Sequence, residues 1–368
     1  MASKARVWLS LVALVCLGGC ATNQPGPETW RFAIEETRGS VQDAYARRFK
    51  ELIEARSGGK IRVKIYPYGA LGTSDQTTEL LYNGTLQFAM ASPGHIGKLI
   101  PEVQVLLLHY LFSADQAVNR EVLEDPELTR AFDELYAEKG FQLLSIYSEG
   151  WQVWTTNEPI HQPSDFEGVK FRVMTSPLLL AAYQAYGASS TPLPYGEVYS
   201  ALQLKMIDGQ VNPIFAIQEM SFYEVCDYLI FARQAQFFTT AVANRKFYQD
   251  LSPERRDMVD EVIAQLHGEI FDLQKRYNQE RLEQIKEARP GIQVVRLTPE
   301  ERARFVEASL PVRQRYVELA GPRGQKLLDL VVRLVDEAQA SRDSKSSRRR
   351  DATGAAKTAA SLAGSALL

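Results

Sequence analysis

Cysteine, histidine and net charge are all scarce in this chain, and each scarcity excludes something. Three cysteines occur in 368 residues, Cys16, Cys20 and Cys226. They are too few and too spread for a disulfide framework or a thiolate metal site. The four histidines, His95, His109, His161 and His267, are too scattered for a recognisable ligand set. A formal net charge of −3 argues against general nucleic-acid binding, which needs a basic face. Catalytic signatures are missing too: the chain has no G-x-S-x-G elbow, no H-E-x-x-H, no G-x-G-x-x-G and no Walker loop. No metal and no cofactor is expected.

What is there begins with an apolar run at residues 7–17, preceded by Lys4 and Arg6 and too short to span a bilayer. It ends in Leu17-Gly18-Gly19-Cys20, which reads as a bacterial lipobox. The expectation is a signal peptide at 1–19, lipid on Cys20 and a polar tether at 20–29; an ordinary signal peptide with an incidental cysteine is the alternative. Cys226 then stays alone, without an intramolecular partner, as a buried small apolar residue. Hydrophobic residues at 45% and charged residues at 24% are ordinary for a soluble globular protein.

The chain is organised around residues 168–215. Val169, Phe171 and Val173 alternate with Lys170 and Arg172 as in a strand with one face inward. Ser176-Pro177 opens a helix that stops at Gly187. Residues 190–193 form a second strand, and a second helix from Gly196 carries Val198, Ala201, Leu202 and Met206 on one face, closed by Gly209. Residues 210–212 begin a third strand. This β-α-β-α-β order implies parallel strands, with ligand bound beyond their carboxyl ends. Arg172 and Asn212 lie near two of those ends. One offers a planar fork of donors for a carboxylate, the other a donor and an acceptor. No nucleophile paired with a base accompanies them, so the stretch reads as a grip.

FRV at 171–173, GASSTPLPYGEVYSALQ and MIDGQVNP resemble the signature of the DctP-type solute-binding proteins, the extracytoplasmic receptors of tripartite ATP-independent periplasmic (TRAP) transporters. The resemblance covers roughly residues 30–340. WRFAIEE, the LGTSD loop and VMTSPLL with PLPYGEVY are most similar to the ectoine-binding branch. The resemblance implies an α/β fold of the two-domain periplasmic-binding-protein type, with a hinged cleft and a long helix spanning both domains. It also implies two membrane partners, the small and large permease subunits, and an ion gradient as the energy source.

Within that resemblance Arg172 holds a ligand carboxylate. The acids Glu35 and Glu36, at the end of the first strand, and the corner ending in His95 contribute to the pocket, with Tyr195 of the PLPYGEVY run and Phe215 as a wall. On the residues alone, a glutamate pair at a strand end is more often a solvated corner than a ligand contact; the resemblance reverses that preference but does not say which glutamate points inward. Gln152 stands where many dicarboxylate- and sialic-acid-type relatives carry a second arginine. That departure favours a small monocarboxylate or a zwitterion such as ectoine over C4-dicarboxylates. Trp151 and Trp154 are either pocket wall or hinge packing.

The rest of the chain fills in the two domains: 30–148 with about 237–275, and 149–236 with about 276–340. A helix is expected over 115–139, and another of about 35 residues from Pro253 to Pro290, roughly 50 Å long. From about Ser341 the composition reads as a disordered tail, basic at Arg348-Arg349-Arg350. The expected product is a monomeric, lipid-anchored periplasmic receptor for a carboxylate-bearing solute, without enzymatic activity. A sensor presenting its ligand to a receptor kinase stays open as an alternative, as does an exported hydrolase.

Overall fold

The computed structural model describes residues 26–365, so Cys20 and its lipobox lie outside the described residues. The chain enters on β1 (Glu28–Ala33), followed by α1 (Val41–Arg56), β2 (Ile61–Tyr66), α2 (Ser74–Tyr82), β3 (Phe88–Met90) and the single turn α3 (Pro93–Ile96). β1 lies parallel between β2 and β3, with helices as the connections that parallel strands need. Ser40 starts α1 by accepting from the Asp43 N–H, and Thr73 with Gln76 forms a capping box on α2. The rings of Phe32, Phe49 and Phe88 meet at centroid distances of 5.0 to 5.8 Å under α1. Such pairs add about 0.5–1.5 kcal/mol each beyond their buried area.

A 3-10 segment (Pro101–Leu107) and two helices, α4 (Gln116–Leu123) and α5 (Pro126–Glu138), lead into β4 (Phe141–Thr156). One continuous helix was expected over 115–139. Pro126 divides it, because proline cannot donate back into the preceding turn, and Asp125 caps the new helix instead. β4 is the strand that joins the two halves of the sheet. Its first part pairs antiparallel with β9 (Gln236–Asn244), and its last five residues pair with β7 (Gly209–Pro213). The register slips between Ser148 and Trp151. Gly150 turns there at φ +119, where a Cβ would also collide with Asn278.

Beyond the crossing come β5 (Lys170–Val173), α6 (Pro177–Gln184), β6 (Ser189–Pro192), α7 (Val198–Gln203), β7, α8 (Ile214–Glu219) and β8 (Tyr228–Phe231). β5 lies parallel between β6 and β7, as the alternation predicts. α7 is shorter than expected. Lys205 takes a left-handed φ of +56 after its last turn, so Met206 leaves the apolar face and is 64% exposed.

After β9 and α9 (Arg245–Asp250), α10 (Pro253–Ala288) runs for 36 residues. Its residues Val259, Val262, Leu266 and Ile270 pack into the core under β1, whereas Ile285 joins a separate core with Val153 and Val198. The long helix thus serves both halves. β10 (Gln293–Arg296), which the sequence did not announce, pairs parallel with β8. α11 (Pro299–Ser309) precedes α12 (Pro311–Ser365), which bends at Gly321. Two expectations change here. α12 packs on α4 and α5 as well as on α6, so the region after 276 is not confined to the second domain. Residues 341–365, expected to be disordered, continue the helix. Few aromatics mean that a segment cannot build a core, but its alanines, lysines and arginines are good helix formers.

Candidate functional site

A small cavity lies where the carboxyl ends of β1, β3, β5 and β7 converge, the place where such sheets bind ligands. Six of the eight residues singled out in the sequence line it: Glu35, Glu36, His95, Arg172, Tyr195 and Asn212. Gln152 and Phe215 are not in its wall. Gln152 is buried in β4 opposite Pro213. Phe215 is packed into the core beneath α10; sequence periodicity cannot tell which side of a short apolar turn faces a cleft. Trp154 is core as well, donating its indole N–H to the Tyr183 hydroxyl at 2.9 Å.

Arg172 is 1% exposed. Its Nε and Nη2 both donate to the Leu193 carbonyl, at 2.9 and 2.7 Å, which fixes the plane of the guanidinium. Nη1 is buried and has no partner. Burial lowers its pKa to about 10, so the group still carries its charge near neutral pH. Among the described residues no carboxylate forms an ion pair with it; Tyr195 and Tyr68 are the ionisable groups beside it. Asn212 donates its side-chain N–H to Gln210, which presents the amide beside the cavity.

The opposite wall is acidic and is organised by Gln42 at the start of α1. Its Oε1 accepts from the Glu35 N–H at 2.8 Å, its N–H donates to Glu36 Oε2 at 3.2 Å, and its Nε2 donates to Glu149 Oε1 at 3.0 Å. A helix N-terminus favours a carboxylate placed there. Glu35 Oε2 accepts from the Ser92 N–H at 2.8 Å, and Glu35 Oε1 is buried without a partner. Glu36 instead is engaged by Gln42, Ser40 and Glu149. The structure thus separates two glutamates that the sequence left equivalent.

Burial raises the pKa of each of these glutamates and of Glu219. Glu35 is held above its ordinary range. Glu36 is pushed well up by burial and then by the neighbouring Glu149. Glu149 itself rises to about 7 through burial. Glu219, at the end of α8, rises to about 9 through burial and the Glu36 charge. His95 stands at 3.5 Å from Asp75, whose pKa falls to about 2 beside His95 and Lys98. Sequence reasoning missed Gln42, Ser74, Met174 and Phe237 in the wall, and gave Glu149 and Glu219 no role. Ser92 belongs to the corner ending in His95 that was expected to face the cleft.

The two halves of the molecule touch across the cavity mouth. The Gly196 N–H donates to the Tyr68 hydroxyl at 3.3 Å, and the Tyr68 and Tyr195 rings meet edge to face at 5.7 Å. Met174 lies against Gly94, where a Cβ would not fit. The arrangement can hold a small molecule by a cation at one end and carboxylates at the other, shielded from water. Among the described residues no His, Cys, Asp or Glu group is arranged to hold a metal.

The profile of the bacterial extracellular solute-binding protein family 7 (DctP) matches residues 32–319. The ectoine/5-hydroxyectoine-binding periplasmic protein UehA of Ruegeria pomeroyi is 40% identical over 329 residues, 89% of this chain and 96% of that protein. The solved structure of the periplasmic ectoine-binding protein of the TeaABC TRAP transporter of Halomonas elongata superposes with a TM-score of 0.81 at 40% identity. It covers 84% of this chain and all of that one. An apo, open TRAP solute-binding protein of Marinobacter aquaeolei gives 0.78 at 48% identity, over 83% of this chain and 99% of the other.

Proposed function

The chain belongs to the DctP family of bacterial extracellular solute-binding proteins, and from that premise we propose that its cleft captures a small zwitterion of the ectoine type. The protein is a solute receptor of a TRAP transporter. It binds an organic solute outside the cytoplasm and delivers it to the membrane permease.

One observation carries the ligand reading: a buried guanidinium whose Nη1 has no partner, facing a carboxyl group whose Oε1 has none either. An unpaired buried charge is costly, and a ligand carboxylate relieves that cost at Arg172. Bidentate geometry suits arginine there better than lysine. At the other end Glu35 Oε1 accepts from a cationic N–H group. Ectoine, a small ring with one carboxylate and one amidinium, supplies both ends. A dicarboxylate would press its second carboxylate against Glu35 and Glu36, with no second arginine and no lysine in the wall to receive it.

On this reading β4 near Gly150 is the hinge between a domain of residues 30–148 with about 237–275 and a second of 149–236, with α10 bridging them. The receptor is read as a monomer. Titration calorimetry with ectoine and with succinate tests the ligand. Tighter binding of ectoine is expected, and preference for succinate would refute the zwitterion reading. Anchoring in the periplasm through lipid on Cys20 follows from the lipobox. Labelled fatty acid should appear on the wild type and be lost in Cys20→Ser, and an unlabelled wild type would remove the anchor.

A further inference from the structure

We infer that Gly94 and Met174 form the length limit of the cleft: the notch left by the glycine seats the methionine methyl between the two walls, and the pair decides how long a ligand can reach from Arg172 to Glu35. The inference deepens the receptor reading above and rests on it.

Met174 follows β5 directly, two residues after Arg172, and α3 carries Gly94. The three atoms that a Cβ on Gly94 would meet first all belong to Met174: Cε at 1.7 Å, Sδ at 3.4 Å and Cβ at 3.6 Å. The methionine side chain therefore lies along the glycine, with its methyl in the space that any side chain at position 94 would fill. Gly94 is buried, and it is absent from the left-handed region of φ, so its backbone would accept alanine. Close approach of a neighbour is what calls for glycine here.

The place of this contact gives it consequence. Ser92, two residues before Gly94, donates its N–H to Glu35 Oε2, so the corner that receives Met174 also holds the acid. The methionine reaches from the strand of the cation to the corner of the acid, and it lines the cavity with both. Among the described lining residues it is the one aliphatic chain. Arg172, Glu35, Gln42 and Asn212 are tied by hydrogen bonds, and Tyr195 by its bond to Glu219 and its ring against Tyr68. Shortening any of these leaves a buried polar partner unpaired. Met174 is held by packing, as an unbranched thioether that fills irregular gaps. It is the wall residue whose length can change while both recognition ends stay in place.

The seated methyl admits the six-membered ring of ectoine and stops a longer one. Met174→Ala removes the stop. Gly94→Ala fills the notch and turns the methyl out against the ligand, and adding Met174→Ala removes that conflict.

Calorimetry with ectoine and with its seven-membered-ring homologue, homoectoine, reads the limit, with thermal melts to verify that each variant folds. One methylene against a filled wall is worth about tenfold or more, so the wild type should prefer ectoine by about tenfold and Met174→Ala should bind the two within about threefold. Gly94→Ala should lose ectoine affinity by about fivefold or more, and the double variant should return to the affinity of Met174→Ala alone. A ring preference unchanged in Met174→Ala, or losses that simply multiply in the double variant, overturns the inference. If ectoine gives no binding heat in the wild type, the zwitterion reading fails by itself, and the limit is read on succinate against glutarate, which also differ by one methylene. A preference for succinate that Met174→Ala removes upholds the limit. The same preference in both proteins, or no heat from either acid, overturns it.

Discussion

Arg172 and the carboxyl groups facing it are buried to a similar degree but held in opposite ways. The arginine comes from one strand and is fixed by one carbonyl, Leu193 O, twenty-one residues on in the same run. The acids come from the end of β1, the crossing in β4 and the end of α8, and Gln42 links the first two. The difference shows how the site divides its work. The cationic wall is fixed within one stretch of the chain. The acidic wall gathers groups from separate elements.

The largest expected effect is on the cationic wall. Removing one member of a buried charge pair costs roughly 2 to 5 kcal/mol, which at ~1.4 kcal/mol per decade is about one and a half to three and a half decades. Calorimetry should show Arg172→Ala losing ectoine affinity by that amount while remaining folded, with Arg172→Lys recovering only part. A loss below about fivefold would mean that Arg172 acts as an exposed ion pair does, worth at most ~1 kcal/mol.

On the acidic wall the two adjacent glutamates should separate. Hydrogen bonds to charged groups are worth about 1.5–3 kcal/mol, so Glu35→Gln should weaken ectoine binding by roughly one to two decades. Glu36→Gln should cost less, because its oxygens are engaged by Gln42, Ser40 and Glu149 rather than turned to the ligand. Equal losses in the two variants would break the distinction between a free and a committed carboxyl. The smallest effect belongs to Gln152. It lies outside the cavity wall, so Gln152→Ala should alter ectoine affinity by no more than about twofold, whatever it does to stability.

The same contrast explains what was legible in the sequence. Arg172 and Asn212 sit within one β-α-β-α-β stretch, where strand alternation and the carboxyl-end rule suffice to place them. Tyr195, Glu35, Glu36 and His95 were singled out through the family resemblance. The long helix α10 was legible because no breaker interrupts it before Pro290. Glu149 and Glu219 were not legible as site residues. A carboxylate at a strand crossing or at the end of a six-residue helix looks like any surface acid until tertiary packing removes its solvent. Gln152 and Phe215 erred the other way. Their places in the sequence suited a wall, but antiparallel pairing with β7 and packing under α10 turned them into scaffold.

The central claim is that the cavity holds a zwitterion by its two ends, and an ectoine-bound crystal structure tests it most directly. The account predicts the ligand carboxylate within hydrogen-bond distance of Arg172 Nη1 and the amidinium N–H against Glu35 Oε1, with the Tyr68 to Gly196 contact retained. Ectoine bound in the reverse sense, or with its carboxylate away from Arg172, would contradict it.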